Sequence, residues 1–376
     1  MSSVVKLDDG RFRARFDWRD DTGKRRESTK IFPRNSKGKA QGWLDEQTTA
    51  HRTGSWVDPR VSATTLHQYF DQWSVRQVWE PTTVVAMTLA IAKCSFKDVQ
   101  FSQLRRSHVE QWVKTMTSTL AASTIHTRVN NVRSALKAAA RDGYLAADPS
   151  EGVVLPRRRR ASQAMRVPTP DEMRATLEAA DPWFGTYIRL CAFAGLRLGE
   201  ASAVQVGDVE FLQRRLNVRR QVQRAGGQEV RISPPKYGSE RQVFVPDELT
   251  KAVAWHVENI GTRGAEQWLF TGAGGNPPHG NTVHYWWKKT IAVAGVEPFK
   301  LHDCRHFFAS GLIAAGCDVV TVQRAMGHHS ATVTLGTYAH LWPDAEDRTR
   351  AAASGLMRAV DPTFAALMRH EGAGGL

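Results

Sequence analysis

The sequence predicts a multidomain, mainly α-helical protein with small β-sheets. Three observations support this: a strictly alternating stretch near the start, helical spacing of apolar residues through the middle, and short strand-like runs between helices in the C-terminal half. We expect an N-terminal three-stranded sheet plus one helix, then a four-helix unit, then a mixed α/β domain that is mostly helical. With 376 residues, the chain is long enough for two or three domains with their own cores.

The first element is an alternating strand over residues 11–19. Its aromatic side chains share one face, and the other face carries Arg11, Arg13, Arg15 and Arg19. Such alternation is typical of a half-buried strand, and turn signals at 8–10 and 20–23 predict a partner strand on each side. Ser36 offers an N-cap for a helix that ends near His51. The arginine face is either a solvated surface or a DNA-reading one, because a β-ribbon fits the major groove.

Over residues 62–150 the spacing of apolar residues predicts the four-helix unit. Its helices begin near Leu66, Pro81, residue 107 and the cap residue Ser123, and the last one stops at Gly143. The fourth helix carries Arg128, Arg133, Lys137 and Arg141 away from its apolar positions. Basic residues on a helix exterior often serve only solubility, whereas beside a phosphate-binding site they would clamp DNA.

A basic linker follows the helical unit. Its four consecutive arginines are Arg157, Arg158, Arg159 and Arg160. Like charges in a row repel unless an anion neutralises them, so the linker is interpreted as lying along a DNA backbone, with a nuclear-import signal as the alternative. The net charge of +14 in a chain that is 41% hydrophobic indicates a folded basic protein, and nucleic acid is its leading partner.

The third domain begins at Thr169, where a capping residue, a proline and two acids open a helix. Further helices are expected over 183–195, 198–204, 247–260, 281–294, 303–315 and 318–327. Strand-like runs over 214–222, 229–233 and 241–245 predict one small antiparallel sheet. Residues 345–370 are expected to form one or two amphipathic helices that dock on a neighbouring subunit or fold back.

Reactive residue types are concentrated in this domain. They are Arg197 in a glycine-flanked turn, Lys236 between two strand-like runs, His302 and Arg305 one helical turn apart, His328 after a glycine, and Tyr338. Guanidinium groups grip phosphate oxygens, imidazoles move protons, and a phenol can become a covalent nucleophile. The set therefore predicts attack on a phosphate.

In this order the residues resemble the tyrosine recombinase (phage integrase) family, strongly over 165–345, and the whole chain is similar to a three-domain integrase of a temperate phage. The resemblance implies a site-specific recombinase that cuts and rejoins DNA strands through a 3′-phosphotyrosyl link on Tyr338. It implies that Arg197 and Arg305 clamp the phosphate and that Lys236 protonates the leaving 5′ oxygen. His302 would assist proton transfer at the nucleophile, and His328 would donate to a phosphate oxygen.

Some assignments stay open from sequence. Glu200 either supports the first histidine, as in the family, or simply pairs with Arg197. Many family members place a histidine nine residues before the tyrosine, whereas His328 is ten away; His329 would restore nine. His306 also competes for a histidine role. A zinc site using His302 and His306 is disfavoured, because it lacks further ligands and would place Arg305 beside the metal.

The predicted domains are a 1–55 arm-type DNA-binding domain, a 62–150 core-DNA-binding domain, a 151–165 linker, a 166–345 catalytic domain and a 346–376 tail. The resemblance implies double-stranded DNA with core-type and arm-type sites, a homotetramer on DNA, a host DNA-bending protein and an excisionase, but no cofactor, metal or membrane. We expect a location in the bacterial host cytoplasm, on the nucleoid. The alternatives are a type IB topoisomerase-like enzyme and a catalytically decayed DNA-binding regulator.

Overall fold

The computed structural model describes residues 2–19, 22–157, 165–224, 229–342 and 345–361. It divides into two compact units, Met1–Arg158 and Arg159–Leu376. Most described residues are helical and the sheets are small, so the predicted fold class is confirmed. No helix in the described ranges combines the length and apolar character that crossing a bilayer requires.

The first unit begins with an antiparallel sheet in the order β1-β2-β3, packed on one helix. The elements are β1 (Ser3–Lys6), β2 (Phe12–Arg19), β3 (Arg25–Phe32) and α1 (Lys37–Arg52). The predicted apolar face is buried, because Phe16 and Trp18 of β2 pack with Leu44 of α1. Ser36 holds the N-cap position, but its side chain makes no cap hydrogen bond. Residues 20 and 21 of the predicted turn lie outside the described residues.

The remainder of this unit is helical and has its own apolar core. Its helices are α2 (Pro59–Ser62), α3 (Leu66–Ser74), α4 (Pro81–Ala92), α5 (Arg106–Met116) and α6 (Ala122–Arg141). Thr65 and Gln68 form a reciprocal capping box at the start of α3, which satisfies two otherwise unpaired backbone groups. The cap expected at Ser123 is wrong, because the N-cap residue of α6 is Ala121, two residues earlier.

The second unit is mostly helical around a large apolar core. Its helices are α7 (Pro170–Ala179), α8 (Pro182–Phe193), α9 (Leu198–Ser202), α10 (Asp247–Asn259), α11 (Gly280–Ala294), α12 (Leu301–Ala314), α13 (Val319–Met326), α14 (Ala331–Tyr338) and α15 (Ala345–Val360). The start of α7 is as predicted, with the Thr169 hydroxyl and the Glu172 carboxylate capping each other's backbone. The helix α14, which ends at Tyr338, was not predicted from the sequence.

The prediction of one small sheet in this unit is wrong, because the strands form two. The strands are β4 (Val209–Glu210), β5 (Arg215–Val218), β6 (Gln221–Gln223), β7 (Arg231–Ser233) and β8 (Arg241–Phe244), paired as β4-β5-β8 and as β6-β7. The run over 214–222 breaks between β5 and β6, where Arg220 forms an ion pair with the buried Asp208. A single run of strand-like residues therefore supplies both sheets.

The helix α15 is exposed along its described side chains, including Leu356, Met357 and Val360. The rest of the predicted tail, residues 362–376, lies outside the described residues.

Candidate active site

The site begins at a glycine-flanked turn between α8 and α9. Gly195 has φ +62°, and a Cβ there would lie 2.4 Å from Cδ1 of Phe308 in α12. A Cβ on Gly199 would lie 2.7 Å from the carbonyl oxygen of Val222 in β6. The first glycine thus permits both a left-handed backbone and close packing on α12, and the second lets α9 approach β6. Together they position Arg197, the N-cap residue of α9.

Arg197 and Arg241 share one buried carboxylate, that of Glu200. The Arg197 guanidinium donates to Glu200 Oε1, to the Ser239 hydroxyl at 3.0 Å and to the Gly327 carbonyl at 2.8 Å. Arg241 in β8 donates to Glu200 Oε2 at 2.9 Å and to the Ala325 carbonyl at 3.0 Å. The three side chains join the turn, the sheet and the end of α13.

The charge state of Glu200 follows from these neighbours. Burial raises the cost of ionising this carboxyl, but the positive charges of Arg241, Arg197 and Arg305 outweigh it and lower the pKa of Glu200 to about 2. Glu200 is therefore a permanent counter-ion at neutral pH. The ion pair with Arg197 considered from the sequence is present, and no described contact joins Glu200 to His302.

Arg305 lies beneath the site and is only 2% exposed. Its guanidinium donates to the carbonyls of Gly195 and Met326, which fixes it between the glycine turn and the end of α13. Burial, reinforced by the charges of Arg197 and Arg241, lowers its pKa to about 9, so it stays cationic at neutral pH. Arg197, by contrast, keeps a quarter of its side chain accessible.

Tyr338 ends α14 inside this cationic cluster and is 1% exposed. Its phenolic oxygen lies 2.7 Å from Nδ1 of His306, and its ring stacks on the His328 ring at a centroid distance of 6.3 Å. Its ring belongs to an apolar cluster that includes Met326. Burial raises the pKa of the phenol to about 12, and the nearby charge of Arg305 opposes that rise.

The histidines of the site are neutral at pH 7. Burial, then the His302 ring and the Arg305 charge, lower the pKa of His306 to about 4. Burial and three arginine charges, that of Arg305 first, lower the pKa of His328 to about 3. The pKa of His302 is also lowered, by desolvation and by Arg305. Neutral imidazoles can accept as well as donate protons.

The structure brings most of the predicted catalytic residues together. Arg197, Glu200, Arg305, His328 and Tyr338 share one cluster. The His302 ring contacts the His306 ring at a centroid distance of 5.0 Å and reaches the cluster from its exposed side.

Two of the residues considered from the sequence, Lys236 and His329, are exposed rather than buried in the cluster. Lys236 is exposed on a 3-10 turn, three residues before Ser239, and its side chain makes no ion pair or hydrogen bond with the described residues. His329 is exposed, while the stacked partner of Tyr338 is His328. This geometry favours His328 over His329 as the histidine that follows Gly327.

Sequence reasoning missed Arg241 altogether as a site residue and treated His306 only as a competitor. Arg241 could have been noticed because it follows Lys236 by five residues, between the two arginines already predicted for the site. No three His, Cys, Asp or Glu side chains in the described part of the chain gather as a metal site. His306 instead directs Nδ1 at the phenol.

The predicted DNA-binding residues are held in different ways. Arg11 pairs with Asp9 at 2.6 Å, and Arg15 lies 3.8 Å from Glu27 across the sheet. The predicted set also includes Arg13 on the same strand, Arg128, Arg133 and Lys137 on α6, and Arg157 in the linker, which is exposed. Arg158, Arg159 and Arg160 lie outside the described residues.

Within α6, Arg133 and Lys137 differ. The Arg133 guanidinium donates to the Ser150 hydroxyl at 3.2 Å and to the Ser150 carbonyl at 3.0 Å, so it anchors the segment after the helix. Lys137 is exposed to solvent.

Comparison with known proteins identifies the second unit. Residues 166–344 match the family model for the phage integrase family. The ICEBs1 integrase of Bacillus subtilis (strain 168) is 27% identical over 175 residues, which are 43% of this chain and 46% of that protein. A XerC-like tyrosine recombinase of Caldanaerobacter subterraneus subsp. tengcongensis is 24% identical over 358 residues, 86% of this chain and 90% of its own. The chain thus spans about half of the first relative and most of the second.

Two solved structures share the fold. The Tn1549 transposon integrase in complex with transposon right end DNA superposes with a TM-score of 0.65 at 21% identity, over 78% of this chain and 99% of that one. A lambda integrase tetramer bound to a Holliday junction superposes with a TM-score of 0.56 at 15% identity, over 88% and 96%. The family match assigns residues 166–344 to the phage integrase family, and the two solved structures show that the chain shares their fold.

Proposed function

We propose that this protein is a site-specific DNA recombinase that integrates or excises phage or mobile-element DNA through a 3′-phosphotyrosyl intermediate on Tyr338. One observation carries the proposal: the Tyr338 phenol lies between two imidazoles, in the field of the buried Arg305. That arrangement supplies a nucleophile, proton carriers and fixed positive charge at one place. The family match over residues 166–344 supports the same reaction.

Cleavage is a transesterification. The phenolic oxygen of Tyr338 forms a bond to phosphorus while the bond from phosphorus to the 5′ oxygen breaks. The phenol loses its proton, and the leaving oxygen gains one, which Lys236 supplies when its turn swings toward DNA. Rejoining is the reverse reaction with a 5′-hydroxyl from another strand. Because the tyrosyl phosphodiester keeps the bond energy, the cycle needs no ATP and no metal or other cofactor.

The guanidinium groups stabilise the transition state. Arg197 and Arg305 bind the two non-bridging oxygens, where negative charge accumulates, and His328 donates to one of them. A fixed donor aimed at developing charge is worth about 10²–10³ in rate. Glu200 and Arg241 hold Arg197 in place, and His302 assists proton transfer from the exposed side of the cluster.

DNA is held by basic residues of several segments. In this proposal the arm-type sites bind the N-terminal sheet through Arg11, Arg13 and Arg15. The core-type sites bind α6, and the linker arginines lie along the backbone. The protein works as a homotetramer on paired sites, on the nucleoid in the bacterial cytoplasm, and a host DNA-bending protein and an excisionase set the direction.

A nicked suicide duplex tests the proposal. Cleavage releases a short 5′ fragment that diffuses away, so the wild-type protein should accumulate as a covalent DNA adduct in EDTA and without ATP. Tyr338→Phe should form none, while the control Tyr285→Phe, which changes an exposed phenol on α11, should behave as wild type.

The product of the reaction separates the alternatives. Recombinants between paired sites support the proposal. Plasmid relaxation without any recombinant would assign the chain to type IB topoisomerase chemistry. DNA binding without a covalent adduct would mean that the protein is a DNA-binding regulator whose catalytic site has decayed.

A further inference from the structure

Within the described part of the chain, one imidazole lies within hydrogen-bonding distance of the Tyr338 phenol, and its position in the sequence is unexpected. Nδ1 of His306 lies 2.7 Å from the phenolic oxygen, and the two ring centroids are 5.6 Å apart. His306 follows the phosphate-clamping Arg305 directly in α12. The histidine expected on the nucleophile side, His302, lies one turn earlier and contacts the ring of His306.

The other nearby imidazole is otherwise engaged. His328 stacks on Tyr338 at an interplanar angle of 14°, and no hydrogen bond joins its ring to the phenolic oxygen among the described residues. Its Nδ1 is 2.9 Å from the Thr334 hydroxyl. The stacking and this contact fit a residue that positions the tyrosine ring and, in the proposed function, donates to a phosphate oxygen. Among the described residues, His306 is the one whose side chain is hydrogen-bonded to the reacting oxygen.

The protonation state of His306 fits an acceptor. With a pKa near 4, the ring is neutral at pH 7, and an Nδ1 that accepts the phenolic hydrogen requires the ring proton to be on Nε2. The phenol, with a pKa near 12, keeps its proton in the DNA-free protein. A DNA phosphate adds negative charge beside the ring and favours the imidazolium, so transfer is expected only when substrate is bound.

We propose that His306 is the general base of strand cleavage, with Nδ1 taking the phenolic proton of Tyr338 as the phenolic oxygen attacks phosphorus. This inference rests on the proposed function. The O–H bond of the phenol breaks, the oxygen–phosphorus bond forms, the ring becomes an imidazolium, and the 5′ oxygen departs. On rejoining, the imidazolium returns the same proton to the phenolic oxygen as it leaves. His302 then acts on His306 through ring contact and is a positioning residue.

The first test is the pH profile of single-turnover cleavage of the nicked suicide duplex. His306→Asn can still hydrogen-bond the phenol but cannot carry the proton; it should cleave about 10²–10³-fold more slowly at pH 7. The wild-type rate should reach a plateau, whereas the His306→Asn rate should keep rising about tenfold per pH unit, because the phenol must then ionise by itself. His302→Ala should slow cleavage and keep the plateau.

The second test separates the nucleophile side from the leaving-group side. A duplex with sulfur in place of the bridging 5′ oxygen releases a thiolate, which needs no proton to leave. Cleavage by Lys236→Ala should recover on this substrate, whereas cleavage by His306→Asn should not. Gel-shift affinity and the thermal unfolding midpoint of His306→Asn should match wild type, which shows that fold and DNA binding are intact.

Several outcomes would overturn the inference. Wild-type rate with an unchanged pH profile in His306→Asn would remove any role in proton transfer. Faster cleavage by His306→Asn would mean that His306 restrains the tyrosine in the wild-type protein. Recovery of His306→Asn cleavage on the duplex with the bridging sulfur would mean that His306 protonates the leaving group instead. If His306→Asn misfolds, the same profile measured with His306→Gln decides. Absence of an adduct from the wild-type protein would refute the proposed function itself, and this role with it.

Discussion

Replacing the carboxylate of Glu200 by an amide is expected to destabilise the second unit more than any surface charge change. Glu200 accepts hydrogen bonds from the Arg197 backbone at 2.9 Å, from the Arg197 guanidinium and from Arg241 at 2.9 Å. Glu200→Gln would leave the guanidiniums of Arg197, Arg241 and Arg305 close together without their counter-ion. Removing one partner from a buried ion pair costs about 3–5 kcal/mol of unfolding free energy.

Hydrogen exchange in a urea series measures this loss in the second unit separately from the first. The amides of α8 and α9 report the free energy of opening around the turn. The control is Glu297→Gln, since Glu297 is 81% exposed and lies 3.3 Å from Arg166. An exposed pair of this kind contributes about 0–1 kcal/mol.

Two results would refute this reasoning. One is a loss of under 1 kcal/mol in Glu200→Gln, no larger than in the control. The other is full additivity with Arg241→Gln, because residues in one buried network should show a coupling energy of about 0.5–3 kcal/mol. A favourable coupling, with the double variant more stable than the sum predicts, would support the counter-ion role.

Three further predictions concern the turn, acid stability and DNA binding. Gly195→Ala should lower the unfolding free energy by about 2–4 kcal/mol in urea titrations, because the new methyl group clashes and the left-handed backbone is strained. The control Gly311→Ala lies in open space on α12 and should raise the unfolding free energy by up to about 1 kcal/mol. In the folded protein His306 and His328 have pKa values near 4 and 3, below the ordinary 6.5, so the unfolded chain binds more protons in acid. The free energy of unfolding should therefore keep its full value above pH 6.5 and fall by about 3 kcal/mol or more toward pH 4. Lys137→Ala should lower the slope of log affinity against log salt by about 1, measured by fluorescence anisotropy on duplex DNA.

Each of these has a clear contrary result. Equal unfolding free energies for Gly195→Ala and Gly311→Ala would mean that the close approach to α12 is not needed. A flat stability between pH 6.5 and 4 would mean that the two imidazoles are not desolvated. An unchanged salt slope in Lys137→Ala would place α6 away from the DNA backbone.

Local signals explain where sequence-based prediction succeeded in the fold. The Thr169–Glu172 capping box and the alternation in β2 involve residues within a few positions of one another, so the pattern itself carries the hydrogen bonds and the buried face. The two sheets of the second unit were not predictable in this way. The break between β5 and β6 depends on Arg220 finding Asp208, and no periodicity encodes that pairing.

The candidate site shows the same division. The order of arginine, lysine, histidine and tyrosine residues predicted the family and the residue types of the site, and the catalytic roles stay predictions. Which histidine meets the phenol was not readable, because His306 and Tyr338 are 32 residues apart and their contact depends on how α14 packs against α12. The same holds for Arg241, which reaches Glu200 from 41 residues away.

By itself the sequence determined a basic multidomain chain, the start of most helices, and an ordered set of arginine, lysine, histidine and tyrosine residues whose action on a phosphate stays a prediction, since composition, caps and periodicity act over a few residues. Only the tertiary structure decided that two glycines bring Arg197 against α12 and β6, that one buried carboxylate joins two arginines, and that the phenol meets the imidazole of residue 306. Those contacts arise when distant segments exclude water together, and their energies depend on burial that no single segment possesses alone.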